Sequence, residues 1–195
     1  MSAPSLDAAR AALIVRLSPE SLGHCERVAE TARDLAARFG ADTHEAQLAG
    51  LLHDWSRDET AAELLGYAQQ RGLQVCDVDR AVPYLLHATV AATQVSEAFP
   101  GIAPAIVDAI ASHTVGDAVM TDLMRIVYIA DMIEPARSFD GVAGLRALAD
   151  APAATLPRLF FACYRCSLLH VVRSAGRIHP DTVRAWNALV AEAGA

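Results

Sequence analysis

Several histidine and aspartate side chains occupy positions where an amphipathic helix would place apolar ones. In residues 17–39, apolar residues recur every three or four positions, and His24 falls within that series. Three later helical segments show the same feature, and a fourth ends in a His-Asp pair. The full set is His24, His53, Asp54, His87, His113 and Asp131. Imidazole and carboxylate groups suit Fe, Mn, Co or Zn, so we expect these side chains to converge on a metal ion.

Each of these residues alone has an ordinary structural explanation. A single inward histidine is usually a hydrogen-bonded core residue, and an inward aspartate usually caps a helix or pairs with a cation. Two buried carboxylates, however, could not remain ionised together without a cation, because each unpaired charge costs several kcal/mol. The joint pattern therefore favours a metal centre over a purely structural role.

The adjacent pair His53-Asp54 places a constraint on that centre. Neighbouring side chains on a helix diverge by about 100°. Both can reach one ion only if it lies beside the end of the helix, and residues 55–58 indicate a turn at that point. Two carboxylates and neutral imidazoles would leave coordination positions open, which a catalytic metal requires.

The elements that must position these residues are helices. A period of 3.6 residues dominates the chain, and alternating strand patterns are absent from the sequence. We predict an all-α helical bundle forming one domain over residues 1–195, with a core at about 17–134 and C-terminal helices at about 153–192 packing on it. The predicted helices cover about 19–39, 43–54, 58–71, 82–99, 103–113, 121–133, 153–174 and 180–192. Residues 134–152 are expected to be irregular, with a short helical turn near Leu145.

Composition narrows the function. The 195-residue chain is 53% apolar and carries a net charge of −7, which disfavours binding to a nucleic-acid backbone. All 16 cationic side chains are Arg, so a P-loop and Schiff-base chemistry on Lys are excluded. The apolar runs are too short to cross a membrane, and residues 1–12 do not form an export signal. We expect a cytoplasmic protein without nucleic-acid or membrane partners.

The order of His24, His53-Asp54 and Asp131 resembles the HD-domain superfamily. Longer blocks are more specific, and they resemble the symmetrical bis(5′-nucleosyl)-tetraphosphatases of the YqeK type. They follow the order of that family from about residue 17 to the C-terminus. The blocks are His24–Ala32, Ala49–Asp58, His113–Gly116, Tyr128–Arg137 and Gly176–Thr182.

The resemblance implies an all-α phosphohydrolase that cleaves diadenosine tetraphosphate into two ADP. It implies one or two divalent transition-metal ions, iron first, with Mn or Co as alternatives. The implied metal ligands are His24, His53, Asp54 and Asp131. Asp54, His87 and His113 are the candidate catalytic residues. The resemblance implies that the two histidines either contact substrate phosphate or hold a second metal, and they could also protonate the leaving oxygen or neutralise developing charge.

A wider set of residues is predicted to bind the substrate. Arg57 occupies a place where the family commonly has Lys, so its contact with phosphate would be a planar fork rather than a point charge. Arg57, Arg137 and Arg177 are the candidate phosphate clamps. The full predicted set is Ser21, Arg57, His87, His113, Thr114, Arg137, Gly176, Arg177 and His179.

Other functions fit the same metal ligands. An HD-type hydrolase could act on a nucleoside monophosphate, a dNTP or a guanosine alarmone, and only the blocks at 113–116 and 176–182 favour the tetraphosphatase. A non-catalytic nucleotide or metal sensor is a second alternative. A helical interaction module without metal is a third. The sequence leaves open whether the chain forms a homodimer.

Overall fold

The computed structural model describes residues 4–192, and this part of the chain contains helices and no strand. The predicted all-α class is confirmed. Residues 1–3 and 193–195, the ends of the predicted domain, lie outside the described residues. The helices are α1 Leu6–Ile14, α2 Pro19–Phe39, α3 Thr43–Leu52, α4 Ala61–Arg71, α5 Asp77–Ala81, α6 His87–Ala98, α7 Pro104–Ser112, α8 Asp122–Ile133, α9 Val142–Asp150, α10 Leu156–Arg173 and α11 Pro180–Glu192. None of these helices is long and apolar enough to cross a bilayer.

Helix α8 lies at the centre of the bundle. It packs against α2, α3, α7 and α10, and most of its residues are buried. Helices α2 and α3 form the most extensive pair, and Gly50 allows their close approach: a Cβ atom there would lie 3.0 Å from the Cα of Ala29. The close packing of α2, α3, α7 and α8 brings polar residues from the inner face of α2 and from the C-terminal ends of α3, α7 and α8 together at one place.

Helix α2 begins and ends where the sequence predicts. The Ser18 side chain accepts a hydrogen bond from the backbone N–H of Ser21, Pro19 occupies the first turn, and Gly40 ends the helix with a φ of 78°. This register places His24 on the buried face together with Val28.

Other boundaries differ from the prediction for identifiable reasons. The segment predicted as one helix at 82–99 is a 3₁₀ turn, Pro83–Leu86, followed by α6, which begins at His87. Helix α4 begins at Ala61 rather than at Asp58, because Thr60 and Glu63 form a capping box. Asp58 instead accepts a hydrogen bond from the backbone N–H of Ser18.

Helices α1 and α5 were not predicted, and helix α9 was predicted only as a short helical turn near Leu145. Helix α1 is capped by Ser5, and helix α5 by the Asp79 carboxylate, which accepts from the N–H of Cys76. Helix α9 occupies nine residues of the stretch expected to be irregular. The division into one domain with a core at 17–134 stays a prediction.

Candidate metal centre

The six predicted residues meet at the ends and inner faces of five helices. His24 lies in the second turn of α2, and His53 and Asp54 directly follow α3. His87 is the first residue of α6, His113 directly follows α7, and Asp131 lies in the last turn of α8. All are buried except Asp131, whose side chain is 20% exposed.

One cluster forms around a single oxygen of Asp54. Asp54 Oδ2 lies 3.2 Å from His53 Nε2 and 3.4 Å from His24 Nε2. Asp131 Oδ1 approaches the same His24 nitrogen at 2.9 Å. Two imidazole nitrogens and two carboxylates thus surround one point, which we call cluster A.

The second oxygen of Asp54 belongs to a second cluster. Asp54 Oδ1 lies 3.2 Å from His87 Nε2 and 3.5 Å from His113 Nε2. The two histidine nitrogens are 3.0 Å apart. This group is cluster B, and the Asp54 carboxylate bridges the two clusters.

Hydrogen bonds to the other ring nitrogen define the tautomer of all four histidines. Each Nδ1 lies beside a group that can only accept, so each Nδ1 carries the proton. In a neutral ring the Nε2 atom then presents a lone pair to the cluster. The acceptors are the Glu134 carboxylate for His24 at 3.2 Å, and the backbone oxygens of Gly50 for His53 at 2.8 Å, Tyr84 for His87 at 2.6 Å and Ile110 for His113 at 2.7 Å.

A bound cation would satisfy the lone pairs at the centre. His53 Nε2 and Asp54 Oδ1 are buried without a hydrogen-bond partner among the described residues. The His87 and His113 lone pairs face each other and would repel at their separation. Protonating every ring would place positive charges side by side, since neighbouring ring centroids are 4.8–5.3 Å apart. Separations near 3 Å between nitrogen and oxygen suit ligands that share a metal at about 2.0–2.2 Å. The residues therefore fit a metal in each cluster.

When protons rather than a metal occupy the Nε2 atoms, they keep the two carboxylates at this centre ionised. Burial opposes ionisation of Asp54, but the charge of a protonated His53 and hydrogen bonds from the protonated rings around it hold its pKa well below the usual range. Burial likewise opposes ionisation of Asp131, and a hydrogen bond from protonated His24 with the charges of His53 and Arg137 lowers its pKa. Arg57 donates to Asp54, and Arg137 donates to Asp131.

Glu134 is a functional residue that the sequence reasoning missed. It is 2% exposed and accepts from His24 Nδ1, from Arg27 Nε at 2.7 Å and from the backbone N–H of Ala136 at 2.7 Å. Such outer partners orient metal-ligating histidines. Its position three residues after Asp131, directly after the end of α8, was the available signal.

Cluster A opens into a cavity of about 480 Å³. Three of the predicted substrate-binding residues line it, namely Ser21, Arg57 and Arg137. The Ser21 hydroxyl donates to Asp58 Oδ1 at 2.6 Å, which leaves its oxygen able to accept. The cavity is wide enough for a small-molecule ligand and presents arginine side chains beside cluster A.

The other predicted substrate-binding residues lie on the cluster B side. Thr114 Oγ1 is 3.2 Å from His113 Nε2, and with Arg177 and His179 it lines a cavity of only about 70 Å³. His179 Nε2 lies 3.2 Å from Asp79 Oδ1, so this histidine joins α5 to the start of α11. Gly176 donates to the carbonyl of Val171 and ends α10. The structure does not bring Gly176, Arg177 or His179 to the large cavity, and their contact with substrate stays a prediction.

Comparisons with known proteins agree with this arrangement. The HD domain family matches residues 21–136. The chain is 32% identical over 167 residues to the symmetrical bis(5′-nucleosyl)-tetraphosphatase of Bacillus subtilis (strain 168), covering 86% of this chain and 88% of the relative. The same identity extends over 171 residues of the protein of that name from Halalkalibacterium halodurans, covering 87% and 88%.

A solved structure extends the comparison to the fold. The crystal structure of a predicted HD superfamily hydrolase involved in NAD metabolism from Clostridium acetobutylicum has a TM-score of 0.89 and 30% identity, covering 98% of this chain and 100% of that one. The helical fold and the histidine–aspartate clusters define an HD-type phosphohydrolase. The chain belongs to the HD-domain family and, within it, to the symmetrical bis(5′-nucleosyl)-tetraphosphatases, so the predicted resemblance is confirmed.

Proposed function

We propose that this protein hydrolyses diadenosine tetraphosphate symmetrically into two molecules of ADP. Iron is the proposed metal, with Mn or Co as substitutes, and clusters A and B would each hold one ion. The names of the curated relatives support the substrate. The observation that carries the proposal is the Asp54 carboxylate, shared between two sets of histidine lone pairs beside a cavity lined by arginine.

The metal ions, when bound, would polarise water and lower its pKa so that it can attack phosphorus. The residues of the chain supply the positions. Asp54 and Asp131 would provide the two carboxylate ligands. The hydrogen bonds of the Nδ1 atoms would hold the four imidazole rings in the tautomer that can bind a metal. Because His87 and His113 present lone pairs rather than protons, we assign them to the second metal and not to protonation of the leaving ADP.

Arg57 and Arg137 would bind the polyphosphate chain. Their side chains are 28% and 31% exposed, and both line the cavity beside cluster A. A guanidinium group can contact a carboxylate with one nitrogen and a phosphate oxygen with another. The pair therefore provides positive charge on the side from which an inner phosphate of the substrate would approach cluster A.

The direct test is the product profile of the purified protein. With Mn²⁺ or Fe²⁺ present, we expect diadenosine tetraphosphate to give ADP as the sole early product in chromatographic analysis. Production of AMP together with ATP would contradict symmetrical cleavage. Faster turnover of a dNTP, a nucleoside monophosphate or a guanosine alarmone in a parallel panel would assign the site to another nucleotide.

A matched pair of variants tests the role of the bridging carboxylate. Asp54→Asn should remove turnover and lower the metal content at both clusters, while circular dichroism retains the helical signal. Asp108→Asn makes the same chemical change on the exposed side of α7 and should leave activity unchanged. Full activity in Asp54→Asn would remove Asp54 from the mechanism. Wild-type protein that binds metal and nucleotide without cleavage would favour the sensor alternative.

A further inference from the structure

The cavity beside cluster A is lined by two chemically different kinds of side chain. The charged ones are Arg27, Arg57 and Arg137, together with the carboxylates of Glu20 and Glu134. Phe139 is the one phenyl ring in the lining. A cavity that combines arginine side chains with a flat apolar ring matches a nucleotide, which has charged phosphates and a base with an apolar face.

Phe139 differs from most aromatic residues of the bundle. Pairs such as Phe161 with Trp186 pack ring against ring, but Phe139 takes part in no such pair among the described residues. The residue is half-buried, and it lines both the large cavity and a second one of about 270 Å³. Phe139 therefore borders the large cavity without an aromatic partner among the described residues.

The loop that carries Phe139 is held in place by hydrogen bonds. Arg146 donates to the backbone oxygens of Ile133 at 2.9 Å, Glu134 at 2.6 Å and Arg137 at 2.9 Å. The buried Glu134 side chain accepts from the N–H of Ala136. Arg137 and Phe139, two residues apart on this loop, are thus presented to the cavity with little freedom left to lose on binding.

We propose that Phe139 is the stacking platform for the nucleobase of the ADP unit whose phosphates contact Arg57 and Arg137. This inference rests on the proposed function and adds the position of one base. The cavity on the cluster B side, at about 70 Å³, is well below the roughly 300 Å³ of ordinary small-molecule sites, so it does not compete for the base in this conformation.

Two substitutions separate stacking from packing. Phe139→Leu keeps apolar contact with the core but removes the flat ring, whereas Phe139→Trp keeps a ring and alters the packing. Stacking on an aromatic side chain predicts that Phe139→Leu weakens ADP binding by about tenfold and that Phe139→Trp binds ADP like wild type. Neither variant should change binding of inorganic pyrophosphate, which has no base.

The experiment measures ADP and pyrophosphate binding to Mn²⁺-loaded protein by calorimetry, with thermal unfolding as the check on folding. The proposal is overturned if Phe139→Leu binds ADP like wild type, if it loses ADP and pyrophosphate equally, or if Phe139→Trp is as impaired as Phe139→Leu. Wild-type cleavage of diadenosine tetraphosphate is assayed in parallel. Absence of ADP release contradicts the proposed function itself, whereas ADP release with unaltered ADP affinity in Phe139→Leu contradicts only the base position.

Discussion

Glu134 should control metal binding at cluster A through the tautomer of His24. Burial opposes ionisation of Glu134, but hydrogen bonds from Arg27, Ala136 and His24 lower its pKa, so it is a carboxylate at neutral pH. Glu134→Gln replaces one of its two accepting oxygens by an NH₂ group. If that NH₂ faces His24, Nδ1 must accept and Nε2 takes the proton, which removes the lone pair from the cluster.

The opposite orientation of the amide is also unfavourable. The NH₂ group would then face the donors of Arg27 and Ala136, and leaving buried donors without an acceptor costs about 1–3 kcal/mol. Loss of such an outer partner typically weakens metal affinity by about 10–100-fold. We therefore expect Glu134→Gln to bind Mn²⁺ more weakly by a factor in that range.

The measurement is a calorimetric titration of chelator-treated protein with Mn²⁺, accompanied by NMR of the histidine ring nitrogens to identify the tautomer of His24. Glu30→Gln, on the exposed side of α2, is the matched control and should bind metal like wild type. An affinity within twofold of wild type in folded Glu134→Gln would refute the reasoning. So would a His24 ring that keeps its proton on Nδ1 while affinity falls.

Three further predictions concern the scaffold. Gly116→Ala should destabilise the protein by about 3 kcal/mol in urea unfolding, because Gly116 has a φ of 77° and a new Cβ would lie 2.8 Å from Tyr164 Cε2; a change below about 1 kcal/mol would contradict this. Partial burial opposes ionisation of Asp58, but hydrogen bonds, chiefly from Ser18, lower its pKa in the folded protein. The ionised carboxylate therefore stabilises the fold fully above the unfolded-state pKa of about 3.9, and this stabilisation is lost as the pH falls through the lower pKa of the folded state. Asp58→Asn should therefore be less stable than wild type at pH 7 and equal to it in acid, and a difference independent of pH would exclude this origin. Arg146→Met should raise the KM for the dinucleotide more than it lowers kcat, since the loop loses three bonds, and an unchanged KM would contradict that role.

The candidate metal centre could be located from sequence because its polar residues interrupt or end an apolar series. A polar side chain within an inward stripe is visible without coordinates, and His24 in α2 and Asp131 in α8 show this directly. The pairing of His53 with Asp54 was also accessible, since the turn after α3 was predicted from residues 55–58. Periodicity cannot show which ring nitrogen each histidine directs to the centre, because this depends on the hydrogen-bond acceptor beside Nδ1, which is a carboxylate for His24 and a backbone carbonyl for the other three.

The missed features depend on contacts between distant parts of the chain. Glu134 and Arg27 are 107 positions apart, and the acidic residue looked like an ordinary helix end until α2 was placed beside it. Helix α9 was underestimated because its apolar series is only nine residues long, and short helices depend on packing for stability. The contact of His179 with Asp79 was missed for the same reason, because Asp79 lies in a helix of only five residues that the sequence pattern did not predict.

The use of arginine rather than lysine at position 57 follows from two demands on one side chain. Arg57 donates to Asp54 through Nη1, so one nitrogen of the guanidinium already serves a buried carboxylate. A lysine ammonium is a compact point charge, and its attraction to that carboxylate would draw the whole charge away from the cavity. The planar guanidinium group of Arg57 can serve both purposes, because one nitrogen binds Asp54 while its remaining N–H groups can point toward the cavity that Arg57 lines. Arg137 does the same at Asp131, donating to the carboxylate and to the backbone oxygen of the same residue while lining the same cavity. In a chain whose cations are all arginine, the proposed function would therefore draw charge compensation of the candidate metal ligands and attraction of phosphate from the same two groups.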